Sequence, residues 1–272
     1  MDRRKSLIMG VVGSSINSGS NDAIYYTSSD GNIVKPYNTS VFGANIVSNT
    51  YVDGQGIISF DGPVTTIGKD AFRSCTSLTS VTIGDSVTTI GRSAFEDCTS
   101  LTSVTIPDSV TTIGDNVFYK CTSLTSVTIP DNVTTIDVQI FRYCTSLTSI
   151  TIPNGVTSIG AYAFSDCYNL TSVTIPDSVT SIGQGAFEDC SILASVTIPD
   201  SVTTIGNYAF RLCNSLTSVY CKATIPPSLR GTSVFYNNAS SRKIYVPTNS
   251  VSAYKSATNW SSYKSYIVGY NF

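Results

Sequence analysis

Eight cysteines stand in this chain without a single histidine. Seven of them, Cys75, Cys98, Cys121, Cys144, Cys167, Cys190 and Cys213, recur every 23 residues. Such a row could form disulfides, hold a metal through thiolates, or do no chemistry and serve as a small buried hydrophobe. If the row lies on parallel neighbours ~4.8 Å apart, bridging fails, because the Cβ atoms would sit wider than the ~3.8 Å a disulfide requires. Free, inert thiols are therefore expected. Cys221 falls outside the row, at an apolar strand position, and leaves a bridge to Cys213 open. Without histidine there is no Ser-His triad, histidine zinc site or imidazole proton shuttle. A Walker loop and a C-x-x-C are also missing, so no cofactor is implied. Gly54-Gln55-Gly56 with Ser59 is a fragment of a nucleotide fingerprint, but it precedes an extended run instead of following one, and reads as a turn.

Two other rows share the 23-residue step. Asp85, Asp108, Asp131, Asp177 and Asp200, interrupted by Asn154, could attract calcium. Their mutual repulsion in water is only on the order of 1 kcal/mol, which solvated turns tolerate, and a turn role is the simpler reading. Thr82, Thr105, Thr128, Thr151, Thr174 and Thr197 form a hydroxyl row, each with a serine two residues before it. Threonine suits strands and keeps a sheet face soluble. A regular Thr array also resembles an ice-binding face, but curvature opposes that. The strand positions hold no aromatic row to stack on sugars, which weakens a lectin reading.

The elements that carry these rows follow from the repeat. Phe72, Phe95, Phe118, Phe141, Phe164, Phe187 and Phe210 keep the same step, as do leucines from Leu78 to Leu216. The unit is V-T-T-I-G-x-x-A-F-x-x-C-x-S-L-T-S-V-T-I-P-D-S. In one copy, Leu101, Val104 and Ile106 point inward while Thr102, Ser103 and Thr105 face water. Pro107-Asp108 turns the chain, and Val110 and Ile113 return to the core. The recurrent Gly (Gly68, Gly91, Gly114, Gly160, Gly183, Gly206) suggests positive φ, and Asp137, its one replacement, is expected in the left-handed region. Ala94, Phe95 and Cys98 fall at helical spacing, suggesting one helical turn on the convex side. A single unit cannot bury its apolar face, so units must stack. The fold expected is an α/β solenoid: a curved, right-handed leucine-rich-repeat coil with a parallel β-sheet on one face, short helical turns on the other, and caps at both ends.

Residues 1–22 read as a flexible leader or the remnant of a targeting segment, 23–60 as an N-terminal β cap, 61–221 as seven repeats, and 222–272 as a C-terminal strand and helix cap. In the first cap, Ala23–Thr27 and Asn32–Tyr37 suggest a hairpin across Ser28–Gly31, and Gly56–Phe60 suggests the strand of an incomplete first coil. In the last, Lys243–Val246 is a strand, Ser250 an N-cap, and Val251, Tyr254, Ala257 and Trp260 an apolar stripe.

The 272 residues are 41% hydrophobic, only 12% charged, and carry a net charge of -2. With both signs taken as scattered, neither nucleic acid nor an anionic membrane is an expected partner, and no apolar run is long enough to span a bilayer.

The unit Ile90–Val110 resembles the BspA-like leucine-rich repeat of bacterial surface and secreted proteins; Lys243–Lys255 resembles the tail, and Ile24–Gly43 the lead-in, of Bacteroides-type members. The resemblance covers Ala23–Phe272. It implies a non-enzymatic protein-binding module, extracellular or at the cell surface, that adheres to host or neighbouring-cell proteins, including extracellular-matrix proteins. The alternative is a structural spacer with no specific partner, which the monotony of the Thr and Ser rows favours. The side chains that vary lie around A-F: Tyr119, Arg142, Tyr143 and Tyr162 fall on consecutive units and are the candidate protein-binding residues, since Tyr and Arg dominate binding hot spots. Thr105, Thr128, Thr151 and Thr174 are the alternative, on the strand face.

Overall fold

The computed structural model describes residues 23–272, so the leader and any export signal lie outside the described residues. Each 23-residue unit forms one coil, numbered here by its phenylalanine from coil 1 (Phe72) to coil 7 (Phe210). Every coil contributes one turn segment and, except for coil 3 with one, two short strands. The V-T-T-I strands pair in parallel, as Thr66–Ile67 does with Thr89–Ile90, and so do the strands after the ladder leucine, as Leu78–Thr82 does with Ser103–Thr105. The residues of the Leu, Val, Ile, Phe and Cys ladders are buried in every coil, and Thr102, Ser103 and Thr105 are exposed, as the alternation requires.

The solenoid expected from the repeat is thus the fold, with a refinement on the face opposite the strands. The A-F-x-x-C segment is a run of turns rather than a turn of α-helix. Two residues per coil adopt the left-handed conformation, for example Asp70 and Ser74 in coil 1 and Ser93 and Asp97 in coil 2. A helix would consume its N–H groups internally. Reversing hand twice instead frees three of them per coil: the amides of Asp70, Phe72 and Ser74 donate to the carbonyls of Arg92, Ala94 and Glu96 in the next coil. The Phe-to-next-coil bond recurs at all seven junctions, from Phe72 to Phe210, at 2.7–3.0 Å. These N–H groups all point toward the C-terminal coil, opposite to Gly91 N–H, which donates back to Ile67.

The phenylalanine rings of coils 1–7 stack nearly parallel at 5.2–5.7 Å between centroids, within the ~4.5–7 Å of favourable aromatic pairs. Each ladder thiol from Cys98 to Cys213 then donates to the phenylalanine carbonyl one coil earlier, Cys98 to Phe72 at 3.0 Å and Cys121 to Phe95 at 3.1 Å, while Cys75 of coil 1 donates to the Lys35 carbonyl at 3.3 Å. That explains Cys in this row: it fills a small apolar site and supplies a weak donor to a buried carbonyl. All eight cysteines are free, Cys213 and Cys221 included. Burial raises every one of these thiols above its ordinary range, Cys75, at the end of the row, to about 11. None is a thiolate at neutral pH.

The recurrent glycine has a different cause from the one expected. Positive φ is confined to Gly31, Gly43, Gly54 and Gly185 among the described glycines, so the ladder glycines do not require it. They are required by proximity: a Cβ on Gly91 would lie 2.8 Å from the backbone N of Lys69, and one on Gly206 2.3 Å from that of Gln184. Asp137 is accordingly not left-handed. Its Cβ instead holds coil 4 off coil 3, and the amide bond that Gly91, Gly114 and Gly160 make to the preceding isoleucine is missing at Asp137 among the described residues. The V-T-T-I sheet breaks there into a three-stranded and a five-stranded section. The other strand row has no strand in coil 3 at Leu124–Ile129 and is unpaired between coils 5 and 6. Val117 and Ile140, where other coils have Ala, are fully buried beside the coil 3–4 junction.

The caps differ from expectation in detail. Asn32–Tyr37 forms no strand; the hairpin is Ile46–Val52 with Gln55–Phe60, across Asp53 and Gly54, both at positive φ. Gln55–Phe60 is not a coil strand but pairs antiparallel with Ala23–Ser28, which in turn lies antiparallel on Leu78–Thr82. Gly56 is needed because the Tyr26 ring lies across it. At the other end Phe235 extends the phenylalanine stack at 5.6 Å, and Asn238 replaces the cysteine by donating to the Phe210 carbonyl at 2.8 Å. Tyr254 and Trp260 close the core and are fully buried, while Val251 and Ala257 pack against it. Ser250 makes no capping hydrogen bond, because a 3-10 turn, Thr248–Ser250, already leads into the helix Val251–Ser256. A last strand, Ile267–Tyr270, pairs in parallel with Lys243–Pro247.

Candidate functional site

The turn face gathers the four residues singled out by their variation. Tyr119, Arg142, Tyr143 and Tyr162 come from coils 3, 4 and 5 and form one half-buried cluster. The Arg142 guanidinium lies 4.9 Å from the ring centroids of both Tyr143 and Tyr162. Its Nε reaches the Asp166 carboxylate at 3.4 Å, and a terminal nitrogen reaches the Tyr143 hydroxyl at 3.4 Å. Tyr119 packs edge-on against Tyr143 at 5.7 Å.

The local backbone sets this geometry. Tyr143 and Tyr162 occupy left-handed positions of their coils, with φ of 62° and 57°; the remaining such positions of the coils hold Asp, Asn, Ser or Gly, except for Lys120, Gln139, Tyr208 and Leu212. A bulky residue there is strained by roughly 1–2 kcal/mol. Tyr162 is accommodated because the next coil has Gly185 beneath its ring; a Cβ there would sit 2.4 Å from it. Three partners were not foreseen from the sequence: Asp166, Tyr168 and Gln184. Ser165 donates to Asp166 at 2.6 Å, Tyr168 donates to it at 3.2 Å, and Gln184 donates to the Tyr162 hydroxyl at 2.6 Å. Burial, reinforced by Asp166, pushes the Tyr168 phenol up to about 12. Their signal was present, since each lies one or two residues from an A-F or F-x-x-C position.

Such an arrangement offers fixed donors and ring faces to a ligand. Arg142 is fixed by two rings and a carboxylate, so its remaining donors are presented with little rotamer entropy left to lose. Among the described residues no group of His, Cys, Asp or Glu is placed to hold a metal ion, and the Asp85–Asp200 row occupies solvated turns. On the strand face, the hydroxyls of Thr105, Thr128, Thr151 and Thr174 do not come together as a cluster; they stay in a row, without side-chain hydrogen bonds among the described residues. Thr102 and Thr125, by contrast, donate to the carbonyl one coil earlier.

A regular parallel solenoid with an unreactive core and a side-chain cluster on its surface defines a leucine-rich-repeat scaffold. The chain belongs to the BspA type leucine rich repeat family, whose profile matches residues 44–168 and 134–265 in 6 copies. Among solved structures it is similar to the T. pallidum leucine rich repeat protein TpLRR, with 33% identity and a TM-score of 0.53 over 61% of this chain and 74% of that one. It is also similar to a leucine-rich repeat protein from Bacteroides ovatus, with 26% identity and a TM-score of 0.52 over 75% of this chain and 63% of that one. The chain therefore spans somewhat less than two thirds of the Bacteroides structure. None of the curated proteins matches it. No helix among the described residues is long and apolar enough to cross a membrane.

Proposed function

We propose that this protein is a non-enzymatic binding module displayed outside the cell, and that it adheres to a protein of the host or a neighbouring cell through Tyr119, Arg142, Tyr143 and Tyr162. The observation that carries this reading is Arg142 held between two tyrosines of successive coils, its guanidinium 4.9 Å from both ring centroids, with both tyrosines at left-handed positions. Strain kept at a surface cluster points to use. The extracellular location rests on the family.

The test begins with capture of partners from host matrix proteins and cell extracts. Replacing Tyr119, Arg142, Tyr143 and Tyr162 by Ala is expected to weaken the captured partner at least tenfold. Replacing Thr105, Thr128, Thr151 and Thr174 by Ala should change it little, with folding of both variants checked by circular dichroism. Equal or reversed losses would move the site to the strand face. Failure to capture any partner would favour the spacer, the reading that the uniform Thr row supports.

A further inference from the structure

The two ends of the chain differ in charge, although their signs looked scattered. Residues 23–221 carry seven Lys or Arg against sixteen Asp or Glu, while residues 222–272 carry six Lys or Arg and no acidic residue. Lys222 and Lys243 are exposed, and neither takes part in an ion pair among the described residues.

This basic end also holds the aromatic residues that the strand face was expected to lack. The register aligns Thr197 with Tyr220 and Tyr220 with Tyr245, so the threonine row runs directly into two tyrosines. Their rings stack at 4.7 Å, and Tyr270 meets both edge-on at 5.5 Å. Phe272 packs on Tyr270 at 5.1 Å, and these two are 43% and 53% exposed. Lys222 lies two residues beyond Tyr220 and Lys243 two before Tyr245, which puts both cations on the outward side of the same strands. Lys222, Pro247, Tyr270 and Phe272 border an open depression of about 500 Å³.

We propose that this end of the strand face is a second binding site, for a carboxylate-bearing polysaccharide. Tyr270, Phe272 and the Tyr220–Tyr245 pair offer apolar ring surface to the C–H faces of sugars. Lys222 and Lys243 pair with the carboxylates, and the unbonded hydroxyls of the adjoining threonine row meet sugar hydroxyls as the polymer continues along the face. A peptide is less well matched, because the depression is open and lacks a deep pocket for an anchoring side chain. Nucleic acid is less well matched because its dense charge would be repelled by the acidic body next to the site. The Tyr220 and Tyr245 rings are also already stacked on each other.

The test uses the full chain and hyaluronan, whose carboxylates alternate with neutral sugars, with binding measured by titration calorimetry at two salt concentrations. Binding is expected to weaken with salt and to fall at least tenfold in Lys222→Glu/Lys243→Glu. It should fall similarly in Tyr270→Ala/Phe272→Ala, and in Tyr220→Thr/Tyr245→Thr, which restores the residue of the other coils, with the fold of each variant checked by circular dichroism. Arg230→Glu/Lys255→Glu, placed elsewhere on the basic end, should retain binding, as should the four-Ala variant of the turn-face cluster. That last result separates this site from the one proposed above. No hyaluronan binding, or unchanged binding in the Lys222/Lys243 variant, would overturn the proposal. So would equally tight binding of polyglutamate, single-stranded oligo(dT) or neutral dextran.

Discussion

Across the junction between coils 3 and 4, the turn face keeps its three crossing backbone bonds, from Asn116, Phe118 and Lys120 to Val138, Ile140 and Arg142, at 2.8–3.0 Å. The V-T-T-I strands of the same two coils are unpaired, and the leucine strand of coil 3 is not formed. The same repeat therefore yields two kinds of register control. On the turn face the backbone bonds are backed by a stacked ring and a thiol; on the strand faces a single β-carbon at Asp137 is enough to hold neighbouring coils apart. The turn face is the spine of the rod, and the strands follow it where the side chains allow.

The hardest blow to that comparison is Phe141→Ala, which opens a cavity in the stack at coil 4. A loss of about 3–5 kcal/mol is expected, measured by urea unfolding. Thr151→Ala on the strand face of the same coil should stay within about 0.5 kcal/mol. Comparable losses would mean that the turn face holds no special place.

Next come the glycines. Gly206→Ala forces a methyl into backbone and should cost about 1–3 kcal/mol. Gly114→Ala should cost less, since its Cβ would sit 3.0 Å from Arg92 N against 2.3 Å at Gly206. If the two melt alike, proximity is not what selects glycine.

A smaller effect, of opposite sign, is expected from Asp137→Gly. Restoring close approach returns backbone bonds worth ~1 kcal/mol each, against ~1 kcal/mol of added chain entropy, for a net gain of about 1 kcal/mol. Desolvation, with Asp115 nearby, raises the Asp137 pKa. A raised carboxylate favours the folded state below its unfolded pKa, and that contribution is lost as pH rises through the folded value. Asp137→Asn should therefore match the parent below pH ~4 and exceed it in stability at neutral pH, a difference read from paired melts across that range. A constant difference at all pH values would clear the carboxylate of any role in the break.

The smallest perturbation is chemical. A thiol reagent at pH 8 should label at most Cys75 in the native protein, and eight thiols after unfolding. Fast native labelling at Cys144 would show that the spine opens.

The solenoid was legible because inward positions are held to one residue type: Leu101, Val104, Ile106 and Phe95 could be placed from spacing alone. Backbone conformation was harder to read. A recurrent glycine reads as a φ signal, whereas the constraint at Gly91 comes from a coil 23 residues away. The left-handed positions do not stand out in the sequence, because Lys120, Gln139, Tyr143, Tyr162, Tyr208 and Leu212 occupy them beside the Asp, Asn, Ser and Gly that favour this conformation. Phe235 and Asn238 escape the repeat because two extra residues shift the coil that follows coil 7 out of step. The candidate cluster was half legible: variation identified Tyr119, Arg142, Tyr143 and Tyr162, but Asp166 and Gln184 join it only through stacking.

The direction of the turn-face bonds also constrains how such a chain can lengthen. At the first coil the open groups are carbonyls, and the Ala71 carbonyl accepts from the amides of Tyr37 and Asn38. At the last they are amides, and Phe235 N–H donates to the Tyr263 hydroxyl. Each end piece fits one terminus only, whereas an internal coil is donor above and acceptor below. Duplication or deletion of a 23-residue segment thus keeps both end pieces matched when it falls in the middle of the gene and unmatches one of them at its edges, so homologues should differ in length by whole interior units.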